Sequence, residues 1–303
     1  MDENTNKALA AEDFSRARGR AILSQMQHFL DQDKNRLLSF HDVKEILRPK
    51  NETYRGMRTI PIDLIVGSEG RYRDFNRYFL PNFDFLRSRW ERVDMARIKD
   101  IILPPIQLYE IGGVYFVRDG NHRVSVAKTQ GMEMIDAEVV SLSSEIPITP
   151  GMTSDDLKRA VVQYEKKLFY EKTRFAEITG DRDLDFSLPG QYDTIYRHVL
   201  DHKYFLNETF NDEIPFEKAL ESWYGKIYEP IIKIIREEEI CSRFSGRTEG
   251  DLYVWIVTHW DFLKKKYGEY AMSDAARDFS DRYGRKEAGL PPIGSFFKKL
   301  FGL

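Results

Sequence analysis

The sequence predicts an α+β protein: a small mixed-sheet domain followed by an all-α domain. Three observations predict it. Two β-type runs, IQLYEI (106–111) and VYFVR (114–118), are separated only by Gly112 and Gly113. The second run passes directly into DGNHRVSVAKTQG, which has helical spacing, and another β-type run, MIDAEVVSL (134–142), follows. After about residue 150 strand alternation ends, and long helical segments rich in Tyr, Phe and Trp take over. At 303 residues the chain is long enough for two cores.

Residues 12–30 place Phe14, Ala17, Ala21, Ile22, Met26, Phe29 and Leu30 at helical spacing, with Arg16, Arg18 and Arg20 on a solvated face. In DQDKNRLLSFHD, Asp31, Asp33, Asn35, Ser39 and Asp42 fall at oxygen positions of a calcium loop. However, Arg36 stands where that loop needs glycine, and Asp42 where it needs glutamate. A turn is the better reading, with Ser39 as N-cap of a helix over FHDVKEIL (40–47). RTIPIDLIV (58–66) reads as a strand stopped by Gly67, and GSEGRYRDFNRYFL as an arginine-rich loop entering a short helix. Residues 84–99 read as a helix. The Gly112-Gly113 pair suits a tight hairpin, because both central positions can take positive φ. Gly131 is placed to end the helix that starts at DGNHR.

The linker SEIPITPGMTS, with two prolines, leads to candidate helices at 153–178, 189–206, 215–237, 248–267 and 271–285. The expected organisation is an N-terminal helical segment (1–57), a mixed-sheet domain (58–145) and a helical C-terminal domain (151–303).

A net charge of -3 and a pI near 6.1 leave no overall basic excess for gripping a nucleic-acid backbone, so DNA is not the favoured partner. One local excess exists: ten Lys/Arg against six Asp/Glu between Arg55 and Lys99, enough for an anion pocket. No apolar run approaches the ~20 residues of a membrane span. The acidic start MDENTNKALAAEDF does not read as a signal peptide, and one cysteine, Cys241, makes no disulfide framework, so a cytoplasmic location is expected.

The segment with most chemistry is Asp119-Gly120-Asn121-His122-Arg123. It joins a strand to a helix start, where backbone N–H groups lack partners and the helix dipole is positive. Gly120 removes the Cβ that would hold a phosphate away. His122 and Arg123 add side-chain donors. The alternative is a capped turn, with Asp119 or Asn121 as N-cap and Arg123 paired to a carboxylate.

IPIDLIV, GRYRDF and LPPIQLYEIGGVYFVRDGNHRVSVAK, in that order, resemble the ParB/sulfiredoxin superfamily over about residues 58–142. The layout with a helical C-terminal half resembles bacterial ParB-like proteins. The resemblance implies a nucleotide site, with Gly120, Asn121, His122 and Arg123 at the phosphate-gripping turn and Arg71 and Arg73 on the loop near the nucleotide. The implied ligand is a nucleoside di- or triphosphate with Mg²⁺. Asn121 stands where sulfiredoxin carries its catalytic cysteine, which excludes sulfinic acid reduction by that route. No helix-turn-helix is placed in the acidic, aromatic C-terminal half.

Two functional readings follow. One is a phosphotransferase acting on a small hydroxyl compound, as in ParB-like serine kinases, with Glu69 as candidate base and Asp119 holding Mg²⁺ or positioning the acceptor. The other is a nucleotide-responsive regulator or adaptor, transcriptional or partition-related, whose helical half meets a protein or DNA partner. No metal site is assigned. His198 and His202 share a helix face at zinc-compatible spacing without a third ligand, and read as polar packing. Cys241 reads as a structural thiol, and the tail GSFFKKLFGL as a segment folding back on its own domain.

Overall fold

A computed structural model describes residues 3–210, 213–269 and 271–284. The chain divides into two compact units, Met1–Val161 and Val162–Leu303.

The first unit contains α1 (Glu3–Gln27), β1 (Leu38–Ser39), α2 (Phe40–Leu47), β2 (Glu52–Pro61), β3 (Ile65–Ser68), α3 (Arg87–Ile98), β4 (Ile106–Ile111), β5 (Val114–Asp119), α4 (Asn121–Thr129) and β6 (Met134–Leu142); α5 (Ser154–Thr173) begins in it. The six strands form one mixed sheet in the order β1-β3-β5-β4-β6-β2. β4 and β5 pair antiparallel from Ile111↔Val114 outward, and Gly112 and Gly113 take φ of 62° and 86° in the turn between them. β6 pairs parallel with β4 and antiparallel with β2.

Alternation along the strands divides the side chains between two cores. Ile106, Leu108 and Val117 face Phe14 and Ala17 of α1, Trp90 of α3 and Val124 of α4. Ile111, Val114 and Phe116 face Phe40 and Val43 of α2 with Leu157 of α5. Ser39 caps α2 as expected, accepting from the Asp42 N–H at 3.3 Å.

RTIPIDLIV is not one strand. Pro61 ends β2, a single turn over Ile62–Leu64 follows, and β3 then pairs parallel with β5, away from β2 at the sheet edge. Proline has no N–H to extend the β2–β6 ladder, and the Ile62 N–H instead donates to the Glu133 carbonyl at 2.9 Å. The N-terminal helix also departs from its expected stripe. Phe14, Ala17 and Ala21 are buried, whereas Ile22, Met26, Phe29 and Leu30 are exposed on its outer side.

The second unit is helical: α6 (Phe175–Thr179), α7 (Gln191–Phe210), α8 (Phe216–Trp223), α9 (Glu229–Glu237), α10 (Glu249–Tyr267) and α11 (Met272–Tyr283), with the C-terminal part of α5. The stretch expected as one helix over 153–178 breaks at Arg174, which takes φ 54°. α8 and α9 are joined by a wide helical turn, Tyr224–Tyr228. Trp223, Tyr253, Ile235 and Phe279 centre the core. Thr248 and Asp251 form a reciprocal cap at the start of α10. His198 meets the Tyr253 hydroxyl at 3.3 Å and His202 meets Ser222 at 3.0 Å, so the two imidazoles have separate partners. Burial raises the Cys241 thiol above its ordinary pKa, which suits a structural thiol. GSFFKKLFGL lies outside the described residues.

Candidate anion-binding cleft

β5 delivers Asp119 and Gly120 to the start of α4. Gly120 takes φ 106°, and no side chain caps the helix. A Cβ at this position would meet Ile106 Cγ2 at 2.5 Å and Arg123 Nε at 3.1 Å, so glycine is required both by conformation and by space. Neither Asp119 nor Asn121 serves as the N-cap.

A cleft of about 630 Å³ opens over this helix start. Four arginines line it, Arg71, Arg89, Arg118 and Arg123, against two carboxylates, Asp74 and Asp119. Asn121 and His122 line it too, at 7% and 5% exposure, yet Asn121 Oδ1 and His122 Nε2 have no hydrogen-bond partner in the chain. Unpaired buried polar atoms are unfavourable, and here both belong to a cleft that a ligand or water can enter.

His122 stands edge-on to Phe75, ring centroids 5.4 Å apart. Burial pushes its pKa down to about 4, and the charges of Arg89, Arg71 and Arg92 push the same way. The imidazole is therefore neutral near pH 7, and the positive field around it comes from guanidinium groups.

The arginines are held differently. Arg123 Nη2 donates to Asp119, while Nη1 donates to the carbonyls of Pro104 and, at 2.9 Å, Pro105. Arg123 thus ties the Pro-Pro segment before β4 to the end of β5. Arg71 is placed by Ser68, whose hydroxyl accepts the Arg71 N–H at 3.2 Å, and pairs with Asp74 at 2.8 Å. Arg89 sits beside Trp90, whose indole N–H donates to Ser125 Oγ at 2.9 Å and pins α3 to α4. Among the described residues Arg89 has no ion-pair partner, nor has Arg118, which lies over the Tyr109 ring at 5.7 Å. These two guanidinium groups are the ones available to a ligand.

The structure therefore brings together Arg71, Asp119, Gly120, Asn121, His122 and Arg123 of the expected residues. Arg73 goes elsewhere: it lines a second hollow with Tyr72 and Phe75, its guanidinium 5.5 Å from the Tyr72 ring. Glu69 does not line the cleft. Its N–H donates to the Val117 carbonyl at 3.0 Å, and its charge is one of those, after Glu52, that raise the Lys44 pKa. Arg89 and Arg118 were missed by sequence reasoning. Arg118 directly precedes the DGNHR segment, and that adjacency was the available signal. Arg89 had only the arginine-rich character of RSRWER.

Both carboxylates in the cleft are already salt-bridged, Asp74 to Arg71 and Asp119 to Arg123. The arrangement is suited to receiving an anion: free guanidinium groups, an uncapped helix start and a backbone that a glycine leaves approachable.

No protein-family model matches the chain. No curated protein matches it either. Among solved structures it is similar to a Pnob8-like ParB-N domain in its C2221 crystal form, at 13% identity, over 83% of this chain and 99% of that chain, with a TM-score of 0.20. A superposition that loose says nothing of function.

No helix among the described residues is long and apolar enough to cross a membrane.

Proposed function

We propose that the cleft binds the phosphate groups of a nucleoside di- or triphosphate carried with Mg²⁺, and that the protein is a nucleotide-responsive binding protein. The observation that carries this reading is the meeting of Arg89 and Arg118, both without ion-pair partners among the described residues, with the uncapped start of α4 and the unpartnered Asn121 Oδ1 and His122 Nε2. Phosphate oxygens can accept from the two guanidinium groups, from the free N–H groups of the helix start and from a protonated His122 Nε2, while Asn121 Oδ1, an acceptor, is left for a hydroxyl or a water carried with the ligand. The resemblance of residues 58–142 to the ParB/sulfiredoxin superfamily supports a nucleotide over a simple anion.

Phosphoryl transfer to a small hydroxyl compound is the second reading. It requires a group to orient or deprotonate the acceptor. Asp119 is in the cleft and can take that role once a ligand draws Arg123 away; Glu69 would have to act from outside the lining. Binding without turnover therefore has the stronger support.

Calorimetric titration with ATP, ADP, CTP and GTP in Mg²⁺ tests the reading. Saturable binding of at least one is expected, and no heat from any of the four contradicts it. Incubation of the bound nucleotide with serine and other small alcohols then separates the readings, since only a phosphotransferase transfers phosphate to them.

A further inference from the structure

Between α3 and β4 runs a strap, Ile101–Pro105, with few fastenings. Its root is the end of α3, where Asp100 takes φ 53° and the Ile101 N–H donates back to the Ala96 carbonyl at 2.8 Å. Beyond that root, Pro104 and Pro105 have no N–H to give. Among the described residues Ile102, Leu103 and Pro104 make no backbone–backbone hydrogen bond before the ladder begins at Ile106. Ile101 and Ile102 are 55% and 95% exposed, so burial adds little hold on them. Leu103 and Pro104 line the cleft. The polar contact that fastens the strap there is Arg123, whose Nη1 donates to the Pro104 and Pro105 carbonyls.

Arg123 cannot keep all of these partners and also grip a phosphate with its fork. Nη1 is shared by the two prolyl carbonyls, and Nη2 is given to Asp119. The Nη1–Nη2 edge, which matches two oxygens of a phosphate, is therefore already in use. Its present acceptors are not equal. The carbonyls are neutral and the Asp119 carboxylate is charged, and hydrogen bonds to a charged acceptor are roughly twice as strong as neutral ones. A phosphate oxygen thus displaces the carbonyls more readily than it displaces Asp119. Pro104 and Pro105 are exposed, so their freed carbonyls pass to water at little loss.

We propose that the strap is released when the cleft fills: a nucleotide phosphate bound there draws Arg123 off Pro104 and Pro105, and Ile101–Pro105 comes free of the cleft wall. This release rests on the reading of the cleft as a phosphate site. It gives that reading an output, because the state of a partly enclosed site is passed to the surface at Ile101 and Ile102. The coupling runs both ways: whatever holds the strap against Arg123 weakens phosphate binding by the same factor.

A nitroxide spin label on the strap tests the release. Cys241 is the single cysteine of the chain, so Ile102→Cys in a Cys241→Ser background offers one thiol, at a residue that does not line the cleft. Paramagnetic resonance spectra are recorded without ligand and with the Mg²⁺ complexes of ATP, ADP, CTP and GTP, and binding of each to the same labelled protein is followed by calorimetry. The same label is placed in Arg123→Ala, with circular dichroism as the control for folding. On binding, the rotational correlation time of the label is expected to fall at least about twofold, as for a loop that gains nanosecond motion. In Arg123→Ala the faster label is expected with no nucleotide present. Binding that leaves the label unchanged, or slows it, overturns the release and leaves the phosphate site standing. A label in Arg123→Ala as slow as in the unliganded parent overturns it as well, since Arg123 is then not what fastens the strap. No binding of any of the four overturns the phosphate site and the release together.

Discussion

Arg123 holds Asp119 across the first turn of α4, and with its other guanidinium nitrogen it holds the carbonyls of Pro104 and Pro105. The arginine that the DGNHR segment offers to a phosphate is thus also the clasp that fixes the cleft wall. Arg123→Ala is expected to destabilise the first unit by about 0.5–1.5 kcal/mol, the net worth of hydrogen bonds to exposed acceptors that water can then reach. Arg123→Lys should recover less than half of that, since an ammonium cannot span both sides as the planar fork does. Urea denaturation of the two variants measures the difference.

Gly120 has no substitute. Gly120→Ala meets both the positive φ and the Ile106 side chain at 2.5 Å. The expected loss is at least about 2 kcal/mol, from left-handed strain together with overpacking. Ile106→Ala removes the Cγ2 that the new methyl would meet, so the double variant should be more stable than the sum of the two single changes implies. Chemical denaturation of the three variants checks this.

His122 gives a pH dependence of defined sign. Its folded-state pKa is about 4, below the ordinary imidazole value of 6.5, because burial and the neighbouring arginines oppose its charge. Between those values the unfolded chain binds more protons than the folded one. The stability associated with neutral His122 is therefore complete above pH 6.5, falls as pH drops toward 4, and amounts to roughly 3 kcal/mol. His122→Gln should flatten that part of the stability profile. An anion in the cleft offsets the arginines, so sulfate, which does not titrate in this range, should raise the His122 pKa measured by NMR. A pKa indifferent to sulfate would argue against an anion site at this residue.

How far the sequence could be read depended on burial and on distance along the chain. The β4–β5 hairpin was legible from Gly112-Gly113 between two alternating runs, and β6 matched its expected span, because half-buried strands show a period of two. The first half of β2 was not legible. Residues 52–57 lie on an edge strand that is exposed over most of its length, so no alternation marks them. The arginine-bearing loop was recognised, but its side-chain directions were not. Arg71 enters the cleft, whereas Arg73 enters another hollow, a division set by the folded loop rather than by composition. Arg89 could not have been assigned from local pattern, because tertiary contacts such as that of Trp90 with Ser125 bring α3 to α4. The outer residues of α1 were visible as apolar, but counting them into a single stripe hid the fact that the helix has two.

Arg89 lines the cleft and has no ion-pair partner among the described residues. The most direct measurement compares calorimetric titration of Mg²⁺–nucleoside triphosphate into the wild type and into Arg89→Ala. Stability of the variant should stay within about 0.5 kcal/mol of the wild type, as for an exposed surface change. Its affinity should fall by roughly tenfold or more, the worth of one charge-assisted hydrogen bond. Equal affinities in the two proteins, or no binding by the wild type, would contradict a phosphate site at the start of α4.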